Sequence, residues 1–152
     1  MKNFCLLFSL LLILNLYGCG RIDSIDTEKF QEIMLKNELT TADVTEGYSN
    51  TEMIDKVVDA TVKDNYKIQF IKANTEEDAK MLFKINKEEL ESIYKTGTYV
   101  NGTVSDVNSI KFTLENDDYY IYLRQVDDTL LYVLAKKDSK KTVKKLINAL
   151  GY

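Results

Sequence analysis

The chain of 152 residues contains no histidine, no tryptophan and no proline, and it has only two cysteines. Histidine is the side chain whose ordinary pKa lies closest to neutral pH. Its absence excludes Ser-His and Cys-His catalytic pairs and every zinc site that uses histidine. Two cysteines are also too few for a zinc site made of thiolates alone. We therefore expect no catalytic residues, no metal site and no cofactor.

The first eighteen residues differ in kind from the rest of the chain. Lys2 is their only charged residue, and residues 4–16 form a nearly unbroken apolar run. As a helix this run is roughly 20 Å long, whereas a bilayer core of about 30 Å needs about 20 apolar residues to be spanned. A basic start followed by a short apolar run is typical of a secretory signal peptide.

The apolar run ends in Leu16-Tyr17-Gly18-Cys19, which resembles the lipobox of bacterial lipoproteins. In that family the cysteine receives a diacylglyceryl group and the chain is then cut just before it. The resemblance implies cleavage between Gly18 and Cys19 and lipidation of Cys19. It also implies an extracytoplasmic protein on the outer face of the cell membrane, because two acyl chains anchor a protein stably. The alternatives are an ordinary secretory signal, in which the cysteine plays no part, and a short uncleaved anchor.

The resemblance divides the chain into three parts. Residues 1–18 are the signal peptide, residues 19–26 are the lipidated cysteine and a short polar tether, and residues 27–152 are one globular domain. The tether reaches at most roughly 25 Å, which keeps the domain close to the membrane. Since lipid would block the remaining cysteine, we expect no intramolecular disulfide.

Charge is unevenly spread along the mature chain. Residues 136–152 carry six lysines and one aspartate, and the rest of the mature chain has a net charge of −10. Nucleic-acid binding generally needs a basic domain, and an extracytoplasmic location also argues against it. We therefore expect no nucleic acid among the partners.

Periodicity predicts most of the helices and strands. Apolar residues at helical spacing predict helices that start near Asp26, near Thr75 and at a cap on Asp138. Alternating runs joined by Asn116-Asp117 and Asp127-Asp128 predict an antiparallel meander of three strands. The predicted helices are 27–37, 76–95 and 138–150, and the predicted strands are 41–46, 57–63, 66–73, 109–115, 118–126 and 129–136.

Two segments are harder to interpret. Residues 51–63 fit either a helix or a strand, and we favour a helical turn at 51–56 followed by a strand. Residues 101–108 are interpreted as a loop. The resulting order, α-β-(α)-β-β-α-β-β-β-α, predicts an α+β fold with an antiparallel sheet of about four to six strands and helices packed on one face.

One candidate surface is the side of the sheet that these helices would leave open. Tyr120, Tyr122 and Arg124 alternate with apolar residues along one strand, and exposed tyrosine with arginine is typical of recognition surfaces. The predicted binding face consists of Tyr120, Tyr122, Arg124 and Tyr132. The alternative is that tyrosine merely suits half-exposed strands.

A second candidate surface is the lysine-rich side of the last helix. Lys140, Lys141, Lys144 and Lys145 lie opposite the apolar residues of that helix. Each lysine facing anionic headgroups adds about 1 kcal/mol, so these four are predicted to face the membrane. The alternative is an ordinary solvated helix face, with late lysines favoured by the helix dipole.

These observations predict a lipid-anchored, non-enzymatic module that binds an envelope protein or peptide. One alternative is a small hydrolase that uses serine, lysine or carboxylates. Ser92 and Lys95 match the S-x-x-K pattern of penicillin-interacting serine enzymes, and residues 95–97 match their K-T-G pattern. In that family the two motifs lie on different elements, whereas here they share one lysine. Another alternative is a structural or immunity-type envelope lipoprotein.

Overall fold

The computed structural model describes residues 21–152, so the predicted signal peptide, its cleavage site at Gly18 and the predicted lipidation of Cys19 lie outside the described residues. The α-helices of this part are α1 (Thr27–Lys36), α2 (Glu76–Tyr94) and α3 (Lys140–Leu150). Its strands are β1 (Thr41–Asp43), β2 (Ile54–Val62), β3 (Tyr66–Ala73), β4 (Val100–Ser105), β5 (Ser109–Glu115), β6 (Tyr119–Val126) and β7 (Thr129–Lys136). Short 3₁₀ turns occupy Thr45–Gly47 and Lys137–Ser139.

The strands form one antiparallel sheet in the order β1-β2-β3-β7-β6-β5-β4. This confirms the α+β class, the antiparallel sheet and the predicted meander of β5, β6 and β7. In that meander Phe112 lies opposite Leu123, which in turn lies opposite Tyr132. The two edge strands of the sheet differ in length, since β1 has three residues and β4 has six.

Helix α2 carries the chain from the centre of the sheet to its far edge. Four strand spacings of about 4.8 Å separate β3 from β4, a distance of roughly 19 Å. The 19 residues of α2 are long enough for this crossing, at about 1.5 Å per residue. Thr75 begins the helix as predicted, because its hydroxyl accepts a hydrogen bond from the Asp78 amide at 3.0 Å.

The helices cover both faces of the sheet, so the prediction that they pack on one face is wrong. Residues of α1 and α3 share a core with Tyr120 and Tyr122 of β6. Residues of α2 share the opposite core with Ile121 and Leu123. The sequence of a strand that is covered on both faces is a nearly continuous apolar run. Tyr120 and Tyr122 therefore lie under a helix and do not form an open face.

Three local predictions also need correction. Residues 51–56 do not form a helical turn that precedes a strand, because β2 already begins at Ile54 and pairs with Ala73. The predicted loop 101–108 contains most of β4, which raises the sheet to seven strands. Asp138 lies in a 3₁₀ turn, and Ser139 occupies the N-cap position of α3 without a capping hydrogen bond from its side chain.

Each end of the described chain is fixed to the core. Phe30 of α1 stacks on Phe70 with ring centroids 5.2 Å apart, and Phe70 meets Tyr152 edge to face at 6.3 Å. Gly151 ends α3 in the left-handed conformation, with φ +79°, which turns Tyr152 back towards the sheet. Among residues 21–152, none of the helices combines the length and apolar character needed to cross a bilayer.

Candidate functional site: a cationic groove beside helix α3

The two predicted surfaces meet in one groove of about 390 Å³, which lies between α3 and the strands β4, β5 and β6. Its floor is formed by Tyr120 and Tyr122. Its lining also includes Arg124 of β6 and the side chains of Lys140 and Lys144 on α3. The structure therefore joins residues that the sequence placed on two separate surfaces.

The positions of these residues follow from the periods of a strand and a helix. Side chains two apart on β6 lie on the same face, so Tyr120, Tyr122 and Arg124 all point to the α3 side. Lys140 and Lys144 are four apart on α3 and therefore share one edge of the helix. The apolar stripe of α3 holds this edge above the strand, since Ile147 is buried against the same core.

Burial favours the neutral form of the two tyrosines of the floor. Each is only 5% exposed. Burial raises the pKa of Tyr120 to about 12, and it also raises the pKa of Tyr122, an effect that the nearby Arg124 partly opposes. The ammonium groups of Lys140 and Lys144 lie 5.4 Å and 6.0 Å from the centre of the Tyr120 ring. These distances allow cation–π attraction, which holds both lysines over the floor.

Arg124 is held rigidly, but one of its donors is unused. Its Nη2 donates to Asp106 Oδ2 and to Ser109 Oγ, each at 3.2 Å. The side chain is only 12% exposed. Its Nε is buried and has no hydrogen-bond partner within the described part of the chain. Buried donors are nearly always satisfied in folded proteins, so this nitrogen is an exception beside the tyrosine floor.

The groove carries an excess of positive charge. It is lined by the cations Lys111, Arg124, Lys140 and Lys144, and by one carboxylate, that of Glu115. Lys140 is paired with Glu115, and Arg124 with Asp106 outside the lining. Within residues 21–152, Lys111 and Lys144 form no ion pair with a carboxylate. The site therefore offers charge, phenol hydroxyls and an apolar floor to an anionic ligand.

The other predicted site residues lie elsewhere. Tyr132 is on the opposite face of the sheet, where it packs against the core beneath α2, so its assignment to the same binding face as Tyr120 and Tyr122 is wrong. Lys141 and Lys145 are exposed on α3 but do not line the groove. Tyr120 and Tyr122 belong to the site as a buried floor instead of an open face.

The sequence prediction missed two members of the site, Lys111 and Glu115. Both lie on β5, opposite Arg124 and Tyr120 respectively. The signal was present in the sequence, because the polar residues of 109–115 alternate with buried Phe112 and Leu114. They share the α3 side because a strand pair keeps facing residues on one face.

The residues of the hydrolase alternative do not form a catalytic arrangement. The Ser92 hydroxyl donates to the carbonyl of Glu89 at 2.8 Å, on its own helix. Lys95 pairs with Glu91 at 2.8 Å. A serine nucleophile needs a base within hydrogen-bond reach, and here both side chains are engaged with other groups.

Comparisons with known proteins concern the fold. No protein-family model matches this chain, and no curated protein is significantly similar to it. Among solved structures, it resembles a GTP-binding regulator from Thermotoga maritima, with a TM-score of 0.53 and 14% identity, covering 84% of this chain and 88% of that chain. At this identity the likeness extends to the fold alone.

Proposed function

We propose that this protein is a lipid-anchored, extracytoplasmic binding module whose groove beside α3 takes an anionic ligand from the cell envelope. The observation that carries the proposal is the set of four cations around a buried tyrosine floor. Charge of one sign in a cleft with low-dielectric walls concentrates ligands of the opposite sign. The rest of the domain has a net negative charge, so the groove is a local region of positive charge on an acidic protein.

The anchor part of the proposal rests on the lipobox resemblance of Leu16-Tyr17-Gly18-Cys19. Expression of the full chain in a Gram-positive host, followed by mass spectrometry of the membrane fraction, tests it. The proposal predicts a product that begins at Cys19 and carries a diacylglyceryl group. A Cys19→Ala variant is expected to lack the lipid, and an unlipidated wild-type product would contradict the anchor.

The groove part of the proposal is tested with two charge-matched double variants. Lys140→Gln/Lys144→Gln removes two charges from the groove, and Lys141→Gln/Lys145→Gln removes two charges from the same helix outside it. Calorimetric titration of the full chain with polyphosphate is expected to show a loss of tenfold or more in affinity for the first variant. The second variant is expected to stay within about threefold of wild type. Equal losses would mean that only the net charge matters.

GTP is included as a second probe, because the structural neighbour is described as a GTP-binding regulator. The phosphates of GTP carry the negative charge that the groove is proposed to bind. We therefore expect the first double variant to lower the affinity for GTP more than the second, by a smaller factor than for polyphosphate.

Two alternatives make different predictions. A hydrolase built on Ser92 and Lys95 predicts turnover that is lost in Ser92→Ala, but the hydrogen bonds of both residues disfavour it. A structural or immunity-type lipoprotein predicts no anion binding in the groove. The double-variant titration therefore separates it from the binding module.

A further inference from the structure

Strand β4 forms one long edge of the sheet. Among residues 21–152 it pairs only with β5, and all six of its residues are exposed. Natural edge strands are usually protected by lysine, proline or a bulge. The sequence of β4, VNGTVS, has no charge and no proline, and its register with β5 is unbroken. The edge is therefore available for pairing with another strand.

The register shows which backbone groups of β4 face outward. The Asp106 amide donates to the Ser109 carbonyl at 2.8 Å, one position beyond the end of β4. Residues of an antiparallel strand alternate between bonding to one neighbour and to the other. The even-numbered residues of β4 thus bond to β5, and the N–H and C=O groups of Asn101, Thr103 and Ser105 face the free edge.

The side chains beside this edge form a path into the cationic groove. Val100, Gly102 and Val104 lie on the α3 side of the sheet, since their partners include Lys111 and Thr113 of the groove. Val100 is 74% exposed and Val104 is 49% exposed. A Cβ placed on Gly102 would meet no atom within 4 Å. The gap at Gly102 leaves room for a long side chain to pass from the edge towards Lys111.

We propose that the ligand is an extended acidic peptide segment, which pairs with β4 as an eighth strand of the sheet. Backbone hydrogen bonds to Asn101, Thr103 and Ser105 supply the pairing, as in other cases of strand addition. Alternate side chains of a strand point to opposite faces, so acidic side chains on the α3 side meet the excess cations of the groove, while the apolar side chains between them lie on the α2 side, beside Asn101 and Thr103. The inference rests on the proposed function, because it uses the same charges to select the ligand.

The probe is a capped, fluorescein-labelled octapeptide of alternating glutamate and valine, measured by anisotropy with the full chain in detergent. Two further peptides carry N-methyl groups on alternate amides, one on the glutamates and the other on the valines. In a paired strand one of these sets faces β4 and the other faces away. We expect one methylated peptide to lose at least tenfold in affinity and the other to bind like the parent.

Thr103→Pro is the matching change in the protein. Proline removes an N–H that faces outward, so the hydrogen bonds between β4 and β5 are kept. We expect this variant to lose the peptide but to bind polyphosphate like wild type, and Thr103→Ala to bind both. Circular dichroism and the urea midpoint of Thr103→Pro show whether the sheet is intact.

The outcomes separate the two proposals. Equal binding of both methylated peptides, with polyphosphate binding still dependent on Lys140 and Lys144, would overturn strand pairing and leave the proposed function standing. Absence of all anion binding would overturn both. Light scattering that shows a dimer abolished by Thr103→Pro would identify a second copy as the occupant of β4, which would also overturn the inference.

Discussion

The side-chain amide of Asn108 makes two hydrogen bonds to the backbone of Ile22. It accepts from the Ile22 N–H at 3.0 Å and donates to the Ile22 carbonyl at 2.8 Å. The same amide nitrogen donates to Asp127 at 3.1 Å. The segment before α1 is thereby fixed to the end of the sheet where β5 begins and β6 ends. With Cys19 lipidated as proposed, only Gly20 separates it from Arg21, and these two steps along the chain reach at most about 7 Å. This end of the sheet is then held close to the membrane.

Replacement of Asn108 by alanine tests this attachment. We expect the free energy of unfolding in urea to fall by about 1–3 kcal/mol. The variant loses the three hydrogen bonds of the Asn108 side chain, which are partly buried and together contribute about that much. Limited proteolysis is expected to cut the segment before α1 sooner than in wild type. Asn101→Ala is the control, since the Asn101 side chain is exposed and makes one contact, with Glu91 at 3.3 Å. Identical proteolysis of both variants would contradict the attachment.

Phe30 is predicted to hold α1 on the sheet. It is fully buried and stacks on Phe70. Phe30→Ala is expected to lower the free energy of unfolding by about 3–5 kcal/mol, as for other buried phenylalanines. Leu35→Ala on the same helix is expected to change it by less than about 0.5 kcal/mol, because Leu35 is exposed. Similar values for the two variants would show that α1 is not anchored through this ring.

The sequence predicts those helices and strands best whose residue pattern fits only one kind of secondary structure. Helix α2 was predicted almost to the residue because Thr75, its acidic first turn and its apolar stripe agree. Strands β5 to β7 were predicted because Asn116 and Asp127 mark the turns between alternating runs.

The errors have physical reasons. Every residue of β4 is exposed. Val100 and Val104 alternate with polar residues, but Gly102 lies between them and Asn101, Gly102 and Asn108 are typical loop residues, so the pattern predicted a loop. Ile54, Val57 and Val58 of β2 suit a helical period as well as a strand covered on both faces. The groove itself depends on α3 lying on the Tyr120 side of β6, a choice that periodicity along either element leaves open.

Alkaline pH is expected to destabilise the protein partly through Tyr120. Burial raises its pKa to about 12 from an ordinary value of 10. The neutral phenol therefore contributes stability that is fully present below pH 10 and is lost as pH rises towards 12, at up to about 1.4 kcal/mol per pH unit. Tyr120→Phe removes this loss, so its stability falls less than that of wild type between pH 10 and 11. Urea unfolding at each pH measures the difference, with the exposed Tyr99→Phe as control. Parallel profiles for wild type and Tyr120→Phe would refute the assignment.

The membrane prediction for the α3 lysines remains to be measured. Lys140 and Lys144 line the groove, so Lys141 and Lys145 are the members of the set that are free to face headgroups. In the non-lipidated Cys19→Ala background, Lys141→Gln/Lys145→Gln is expected to weaken co-sedimentation with phosphatidylglycerol vesicles by about tenfold or more, given about 1 kcal/mol per lysine. Unchanged sedimentation would mean that these lysines are merely solvated.

We propose that an anion binds in the groove between α3 and strands β4, β5 and β6. The most direct test is an NMR titration of the isotopically labelled chain with polyphosphate, following the backbone amide shifts. Binding in the groove is expected to cause the largest shifts at Thr113, Tyr122 and Lys144, and these shifts are expected to vanish in Lys140→Gln/Lys144→Gln. Shifts centred on Lys141 and Lys145, or on the opposite face beneath α2, would contradict it.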